Sequence, residues 1–231
     1  MTAGAAAIIL AAGSGERLGS PVPKAFVPVA GRSILARAAA GAAGCPAVAW
    51  IVVAAPAGFE DRAHALVERM GAHAVVTGGD TRQASVRAAL AVVPQEAPLL
   101  VCHDAARPFA SPELFSAVLG ALEEFPDADG VIPVLSVPDT VKRIRDGVVV
   151  ATEGRDELGL AQTPQAFRTA ALREAHARAA DSSLDFTDDA AVLEWAGLRV
   201  RTVPGESGNF KITTADDLAL AELLSAEGPR G

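Results

Sequence analysis

Between Ile8 and Lys24 an apolar run stops at Ala11-Ala12-Gly13-Ser14-Gly15-Glu16-Arg17-Leu18, and the chain continues to Pro23-Lys24. Residues of these types suit the handling of phosphate. Gly13 and Gly15 permit positive φ and let backbone N–H groups approach a ligand with no Cβ in the way, and clustered N–H groups bind anions. Arg17 and Lys24 add the charge that bare amides lack. A dinucleotide fingerprint is excluded by spacing, because Leu18 stands where the third glycine is required and the next glycine is Gly19. A P-loop is excluded too, since the chain contains no Gly-Lys-Ser/Thr tripeptide. The bland alternative is an ordinary strand-to-loop turn carrying surface charges.

A second centre lies at His103-Asp104-Ala105-Ala106-Arg107-Pro108, directly after the apolar run Leu99 to Cys102. A carboxylate at the end of a buried strand can hold Mg²⁺ that bridges triphosphate oxygens, because Mg²⁺ takes oxygen ligands and keeps several waters beside one or two carboxylates. Asp104 is that candidate; its alternative role is to cap the following turn. The planar fork of Arg107 matches an anionic substrate group, with a surface ion pair as the alternative. His103 adjoins Asp104 and reads as support for it. His64 and His176 fall in no motif and are expected on helix surfaces. No Ser-His-Asp arrangement is evident.

The elements that must position these residues follow from composition and periodicity. At 231 residues, half of them apolar, the chain can bury one core, so 1–231 reads as a single domain. The net charge of -8 argues against a nucleic-acid surface. Cys45 and Cys102 provide neither a disulfide framework nor metal spacing, which fits a reducing, cytoplasmic setting. No stretch approaches the ~20 apolar residues of a membrane span, and the N-terminal apolar segment runs into the glycine loop rather than a cleavage site, so it reads as a strand.

Strands are expected at 6–10, 49–54, 74–76, 99–102 and 130–134, alternating with helices at 34–43, 60–70, 82–93 and 111–124. This alternation predicts an α/β protein with a mostly parallel twisted sheet and helices on both faces. Ligands in such sheets bind beyond the carboxyl ends of the strands. From 135 to 162 the pattern changes to short β-prone pieces around Arg145-Asp146-Gly147, a protruding β-hairpin arm with too little core to stand alone. It is expected to pack on a second subunit. Helices at 169–179 and 190–196, a strand at 199–203 and a last helix opened by Thr214 with Asp216 and Asp217 complete the chain. There is no repeat, linker or low-complexity segment.

The opening A-A-G-x-G-x-R-L followed by P-K resembles the signature of nucleotidyltransferases. Six further segments narrow the resemblance: G-G-D-T-R-Q-A-S-V from Gly78, H-D-A-A-R-P from His103, D-T-V-K-R from Asp139, T-P-Q from Thr163, T-D-D-A from Thr187 and F-K-I-T from Phe210. They follow the order seen in the 2-C-methyl-D-erythritol 4-phosphate cytidylyltransferase family, across nearly the whole chain. The resemblance implies a Rossmann-like nucleotidyltransferase fold and transfer of CMP from CTP to 2-C-methyl-D-erythritol 4-phosphate with Mg²⁺, in non-mevalonate isoprenoid synthesis. It implies that Ala11, Ala12, Gly13, Gly79, Asp80 and Ser85 line the cytosine pocket. Arg17, Lys24 and Lys211 would neutralise charge on the α-phosphate. Asp104 would hold Mg²⁺ and lie near the acceptor hydroxyls, with Arg107, Thr187 and Lys211 on the acceptor phosphate. Thr140 and Arg155 would reach it from the partner in a homodimer.

The chemistry is consistent with these residue types. Phosphoryl-type transfers gain rate from positioning and fixed charge, and a phosphate nucleophile needs no strong base. Two positions depart from the family pattern: Ala25 stands where glutamine is frequent, and Gly208 where some relatives carry an aspartate. Mg²⁺ would then rest on Asp104, triphosphate oxygens and water. The chain is too short to hold the cyclase fused to some relatives. Competing readings are an acceptor such as ribitol 5-phosphate, or a nucleotide-binding module without catalysis, which the retained Arg17, Lys24, Asp104 and Lys211 disfavour.

Overall fold

A strand buried on both faces needs apolar residues on each, and β1 (Ala5–Leu10) meets this by sending alternate side chains to two different cores. The computed structural model describes residues 4–13, 15–180, 182 and 184–226; Ser14 of the glycine loop lies outside them. After β1 come the short pair β2 (Pro28–Val29) and β3 (Arg32–Ser33), then α1 (Ile34–Ala43), β4 (Val48–Ala55), α2 (Glu60–Val67), β5 (Ala72–Thr77), α3 (Arg82–Leu90) and β6 (Leu99–Asp104). Next are α4 (Pro112–Glu124), β7 (Gly130–Ser136), β8 (Lys142–Arg145), β9 (Val148–Thr152), β10 (Gly159–Ala161), β11 (Gln165–Arg168), α5 (Thr169–Ala179), α6 (Asp189–Trp195), β12 (Val200–Pro204) and α7 (Ala215–Ala226).

The helix starts are set by side-chain caps. Ser33 Oγ accepts from Ala36 N at 3.2 Å, Thr81 Oγ1 from Ala84 N at 3.1 Å, Ser111 Oγ from Leu114 N at 3.0 Å and Asp188 Oδ1 from Ala191 N at 2.9 Å. Each satisfies a donor that the first helical turn leaves unpaired. α1, α2 and α4 cover one face of the sheet through residues such as Leu35, Val67 and Phe115. α3, α5 and α6 cover the other through Val86, Leu172 and Leu193. α3 ends at Leu90, three residues before the expected Val93.

The sheet order is β10-β7-β11-β6-β1-β4-β5, with β12 also paired to β7. β6, β1, β4 and β5 are parallel, as are β7 and β12. The sequence expectation of a mostly parallel sheet with helices on both faces therefore holds, with two antiparallel strands added, β10 at one end of the order and β11 inside it. β11 was not anticipated, and it lies in the middle of the sheet, antiparallel to both β6 and β7. Only Ala166 and Phe167 of its four residues are apolar, so no run or alternation marks it. Its place is decided by packing, since Phe167 is fully buried against Gly130, where a Cβ would come within 2.8 Å of the ring.

The segment 135–162 is only partly an arm. Ser136 ends β7, and β10 pairs antiparallel with β7, so both ends of the segment belong to the central sheet. The part that stands off is the β8–β9 hairpin. Its turn has positive φ at Asp146 (50°) and Gly147 (78°), the geometry favoured for two-residue hairpin loops. Among the described residues, no helix is long and apolar enough to cross a membrane.

Replacing Phe167 with alanine is expected to cost about 3–5 kcal/mol, measured by denaturant unfolding, as for other fully buried aromatic side chains. A loss below ~1 kcal/mol would show that β11 is not part of the cooperative core.

Candidate active site

The parallel register brings the carboxyl ends of β1 and β6 side by side, with Leu10 opposite Asp104. Chain leaving these ends is pinned to the sheet: Ala105 N donates to Leu10 O at 3.0 Å, Ala11 N to Ala54 O at 2.9 Å and Gly78 N to Ala55 O at 2.7 Å. The loops they lead into enclose a cavity of about 620 Å³.

One end of this cavity is nearly all backbone. Ala11, Ala12 and Gly13 face Gly78, Gly79, Asp80 and Ser85 across it. The approach is close, since a Cβ on Gly78 would sit 2.2 Å from Ala12 Cβ. Ser85 Oγ accepts from Gly79 N at 3.1 Å and reaches the carbonyl of Thr81 at 3.0 Å, so its hydroxyl fastens this loop. Gly13 has open space at its Cβ position and is not among the positive-φ glycines. Gly15 is the residue that requires glycine: its φ is 71°, and a Cβ would meet Lys24 Cβ at 2.5 Å.

The other end carries the charges. Lys211 Nζ donates to Asp104 Oδ2 at 2.8 Å, from a position 107 residues away in the chain. Lys24 Nζ donates to Ile212 O at 3.1 Å, beside that pair. Burial and the neighbouring Lys211 lower the Lys24 pKa, and Arg17 adds to this, against the opposing pull of Asp104 and Asp217. Burial alone would raise the Asp104 pKa, but Arg82 and Lys211 hold it far below the usual carboxylate range. Asp104 is therefore ionised and belongs to β6 itself.

Arg82, which nothing in the G-G-D-T-R-Q-A-S-V segment marks out from its neighbours, is central to the site. Its Nε lies 3.3 Å from Asp104 Oδ1, and its Nη1 pairs with Asp189 Oδ2 at 2.7 Å. Asp189 is 0% exposed and also accepts from His176 Nε2 at 3.0 Å, with His176 itself 1% exposed. The expectation that His176 lies on a helix surface is thus overturned, because its ring fills the interface between α5 and α6. Residue spacing on α5 alone does not reveal that a buried carboxylate faces it. His64 is exposed, as expected.

His103 is fully buried and links two loops. Its Nε2 donates to Arg107 O at 3.0 Å, which leaves Nδ1 to accept from Thr163 Oγ1 at 3.0 Å while that oxygen accepts from Asp104 N at 3.0 Å. Every partner fits the neutral imidazole. Burial lowers its pKa to about 4. Cys102 is buried, and burial raises its pKa, so this thiol is inert.

The remaining expected residues do not line the cavity. Arg107 turns its Nη1 to Asn209 O at 2.9 Å and its Nη2 to Ala161 O at 3.2 Å, neither a surface ion pair nor an open phosphate fork. Arg17 and Thr187 are exposed. Thr140 and Arg155 are exposed at the base of the hairpin, where Arg155 Nη1 donates to Pro138 O at 2.7 Å.

A family model described as IspD, 2-C-methyl-D-erythritol 4-phosphate cytidylyltransferase, matches residues 5–227. The chain belongs to this family. The 2-C-methyl-D-erythritol 4-phosphate cytidylyltransferase of Saccharopolyspora erythraea is 46% identical over 226 residues, covering 95% of this chain and 98% of that one. The bifunctional enzyme IspD/IspF of Clavibacter michiganensis is 44% identical over 225 residues, and here the alignment covers 95% of this chain but 54% of the relative. The chain thus spans about half the length of such bifunctional relatives. Among solved structures, the 4-diphosphocytidyl-2C-methyl-D-erythritol synthase of Anaerococcus prevotii aligns with a TM-score of 0.85 at 30% identity, over 98% of this chain and all of that one. The cytidylyltransferase family membership accounts for the order of the motifs, and the α/β architecture is that of its solved members.

The lowered pKa of His103 fixes the sign of an acid response. Its folded value, about 4, lies below its ordinary 6.5, so the unfolded chain binds the extra proton in that interval. Stability is complete above pH 6.5 and is expected to fall by about 3 kcal/mol on going to pH 4, read from urea unfolding at a series of pH values. Replacing His103 with glutamine should flatten that interval.

Proposed function

We propose that this chain transfers the cytidylyl group of CTP to the phosphate of 2-C-methyl-D-erythritol 4-phosphate and releases pyrophosphate, a step of non-mevalonate isoprenoid synthesis. The observation that carries this reading is the meeting of Lys24, Lys211 and ionised Asp104 at one end of a backbone-lined cavity. The acceptor's phosphate oxygen attacks the α-phosphorus, and the bond from that phosphorus to the bridging oxygen of the β-phosphate breaks. No proton need be removed from the nucleophile.

The base sits in the backbone-lined end, where Ala11, Ala12, Gly13, Gly79 and Asp80 offer hydrogen-bonding groups and Ser85 holds the loop shape. Arg17, Lys24 and Lys211 meet the charge that grows on the α-phosphate and the departing pyrophosphate. Fixed cations in a partly dry site are worth more than the same charges in water. Asp104, Arg107, Thr187 and Lys211 form the acceptor side. Arg107 takes up that phosphate by exchanging its longer contact, to Ala161 O.

Magnesium belongs to the same proposal, and the donor chemistry fits it. Asp104 is an ionised oxygen donor facing the cavity, and Mg²⁺ is commonly held by one or two carboxylates with substrate phosphates and water. Among the described residues, no cluster of three or more His, Cys, Asp or Glu could hold a metal by itself. When bound, the ion would draw electron density from triphosphate oxygens; Arg82 and Lys211 keep Asp104 charged for it. A homodimer through the 135–162 arm, with Thr140 and Arg155 reaching the second copy's acceptor, is supported by Ile144, Val148, Val149 and Val150, which are 50% to 63% exposed on a sheet with no core of its own. A cytoplasmic setting is supported by the two buried free cysteines.

Lys24→Ala and Lys211→Ala should each lower turnover by roughly 10²- to 10³-fold, followed by pyrophosphate release. Turnover of ribitol 5-phosphate but not of methylerythritol phosphate in an acceptor panel would reject the assigned acceptor. Arg155→Ala should raise the acceptor KM at unchanged CTP affinity; an equal loss of CTP binding would remove it from the acceptor side.

A further inference from the structure

Lys211 must reach Asp104 from a loop that is neither helix nor strand, and 205–211 has backbone groups that no regular ladder satisfies. Much of that demand is met by one side chain. Gln162 lies between β10 and β11, is 3% exposed, and is absent from the cavity lining. Its Nε2 donates to the carbonyls of Glu206 at 2.9 Å and Asn209 at 3.1 Å, and its Oε1 accepts from Glu206 N at 3.1 Å. One amide therefore grips the loop at two points, as a neighbouring strand would.

The surroundings make this grip specific. Gly205 lies so close that a Cβ there would meet Gln162 Oε1 at 2.6 Å. Asn209, fully buried, donates through Nδ2 to Thr163 O at 2.8 Å, and its own carbonyl also accepts from Arg107 Nη1. The Glu206 carboxylate accepts from Ser111 Oγ and, at 3.3 Å, from Ser111 N. Beyond the lysine, Ile212 N donates to Ala106 O at 2.8 Å, and Lys24 Nζ binds Ile212 O. Lys211 thus hangs between two anchored points, its side chain 43% exposed and its ammonium held on Asp104.

We infer that Gln162 is a positioning residue for group transfer, holding the 205–211 loop so that the Lys211 ammonium arrives at Asp104 already fixed in place. The chemistry requires an amide. A carboxylate of the same shape would turn an acceptor oxygen toward two carbonyls, and an alkyl side chain would leave Glu206 N unpaired and strip one donor from each of the Glu206 and Asn209 carbonyls. The inference rests on the proposed role of Lys211 and adds to it the reason that a flexible side chain can act as a fixed charge.

The test is a double-mutant cycle read as initial rates of pyrophosphate release. Gln162→Ala should lower kcat roughly 10- to 100-fold, as expected when a reacting group is displaced by about 1 Å, while the KM for CTP changes less than about threefold. Added to Lys211→Ala, it should cost almost nothing more, because its effect passes through that lysine. If Gln162→Ala does not fold, Gly205→Ala displaces the same amide from the other side and should give the same pattern. Turnover at the wild-type level in the single variant, or losses that multiply in the double variant, would overturn the inference and leave the function standing. Unchanged turnover in Lys211→Ala would instead bring down the functional reading, and the inference with it.

Discussion

The structure depends on how one carboxylate at the end of a buried strand is kept charged. Asp104 ends β6 among small apolar residues, where an uncompensated charge would cost several kcal/mol. Two cations answer it, Lys211 from the loop before α7 and Arg82 from the first turn of α3. Arg82 in turn needs more negative charge than Asp104 alone supplies, and buried Asp189 provides it. His176 then gives Asp189 a second partner. Charges of alternating sign run from the α5–α6 interface to the mouth of the cavity, and each is bearable because of the next. Such a string stabilises little compared with an apolar core of the same volume, but removing one member strands its neighbours.

This balance leaves a surplus where it is useful. Around the cavity Lys24, Arg82 and Lys211 outnumber Asp80 and Asp104, and Arg17 also acts on Lys24. A protein with a net charge of -8 therefore presents a local positive field at one end of one pocket. That is the arrangement a triphosphate requires, whereas a nucleic-acid surface would need the charge spread over a face. The parallel register of β6, β1, β4 and β5 sends the loops that follow them to the same edge of the sheet, so backbone for a base and side chains for phosphates share one cavity.

Several parts of this were legible in the residues themselves. Caps at Ser33, Thr81, Ser111 and Asp188 sit where small polar side chains precede apolar periodicity, and the apolar runs of β1, β4 and β6 have the length and continuity of strands covered on both faces. β11 was not legible, because a four-residue strand with polar ends carries no period and depends on Phe167 finding Gly130. Nor was the burial of His176, since its helix shows an ordinary mixed face and the carboxylate that receives it comes from α6. Gln162 shows why such residues escape notice: a lone glutamine in a loop signals nothing until the backbone it satisfies is folded against it.

The amino-acid sequence by itself determined the elements, the alternation that makes an α/β sheet, and the residue types that phosphate chemistry needs, because propensity, capping and hydrophobic period act over a few neighbouring residues. Tertiary structure alone decided which charges meet. Lys211 and Asp104 are 107 residues apart, and Lys24 lies 188 residues from the carbonyl it binds. Coulomb attraction and hydrogen bonding act over a few ångströms of space without regard to chain distance, so only the folded chain could assign Arg82 to two carboxylates and turn Arg107 toward carbonyls.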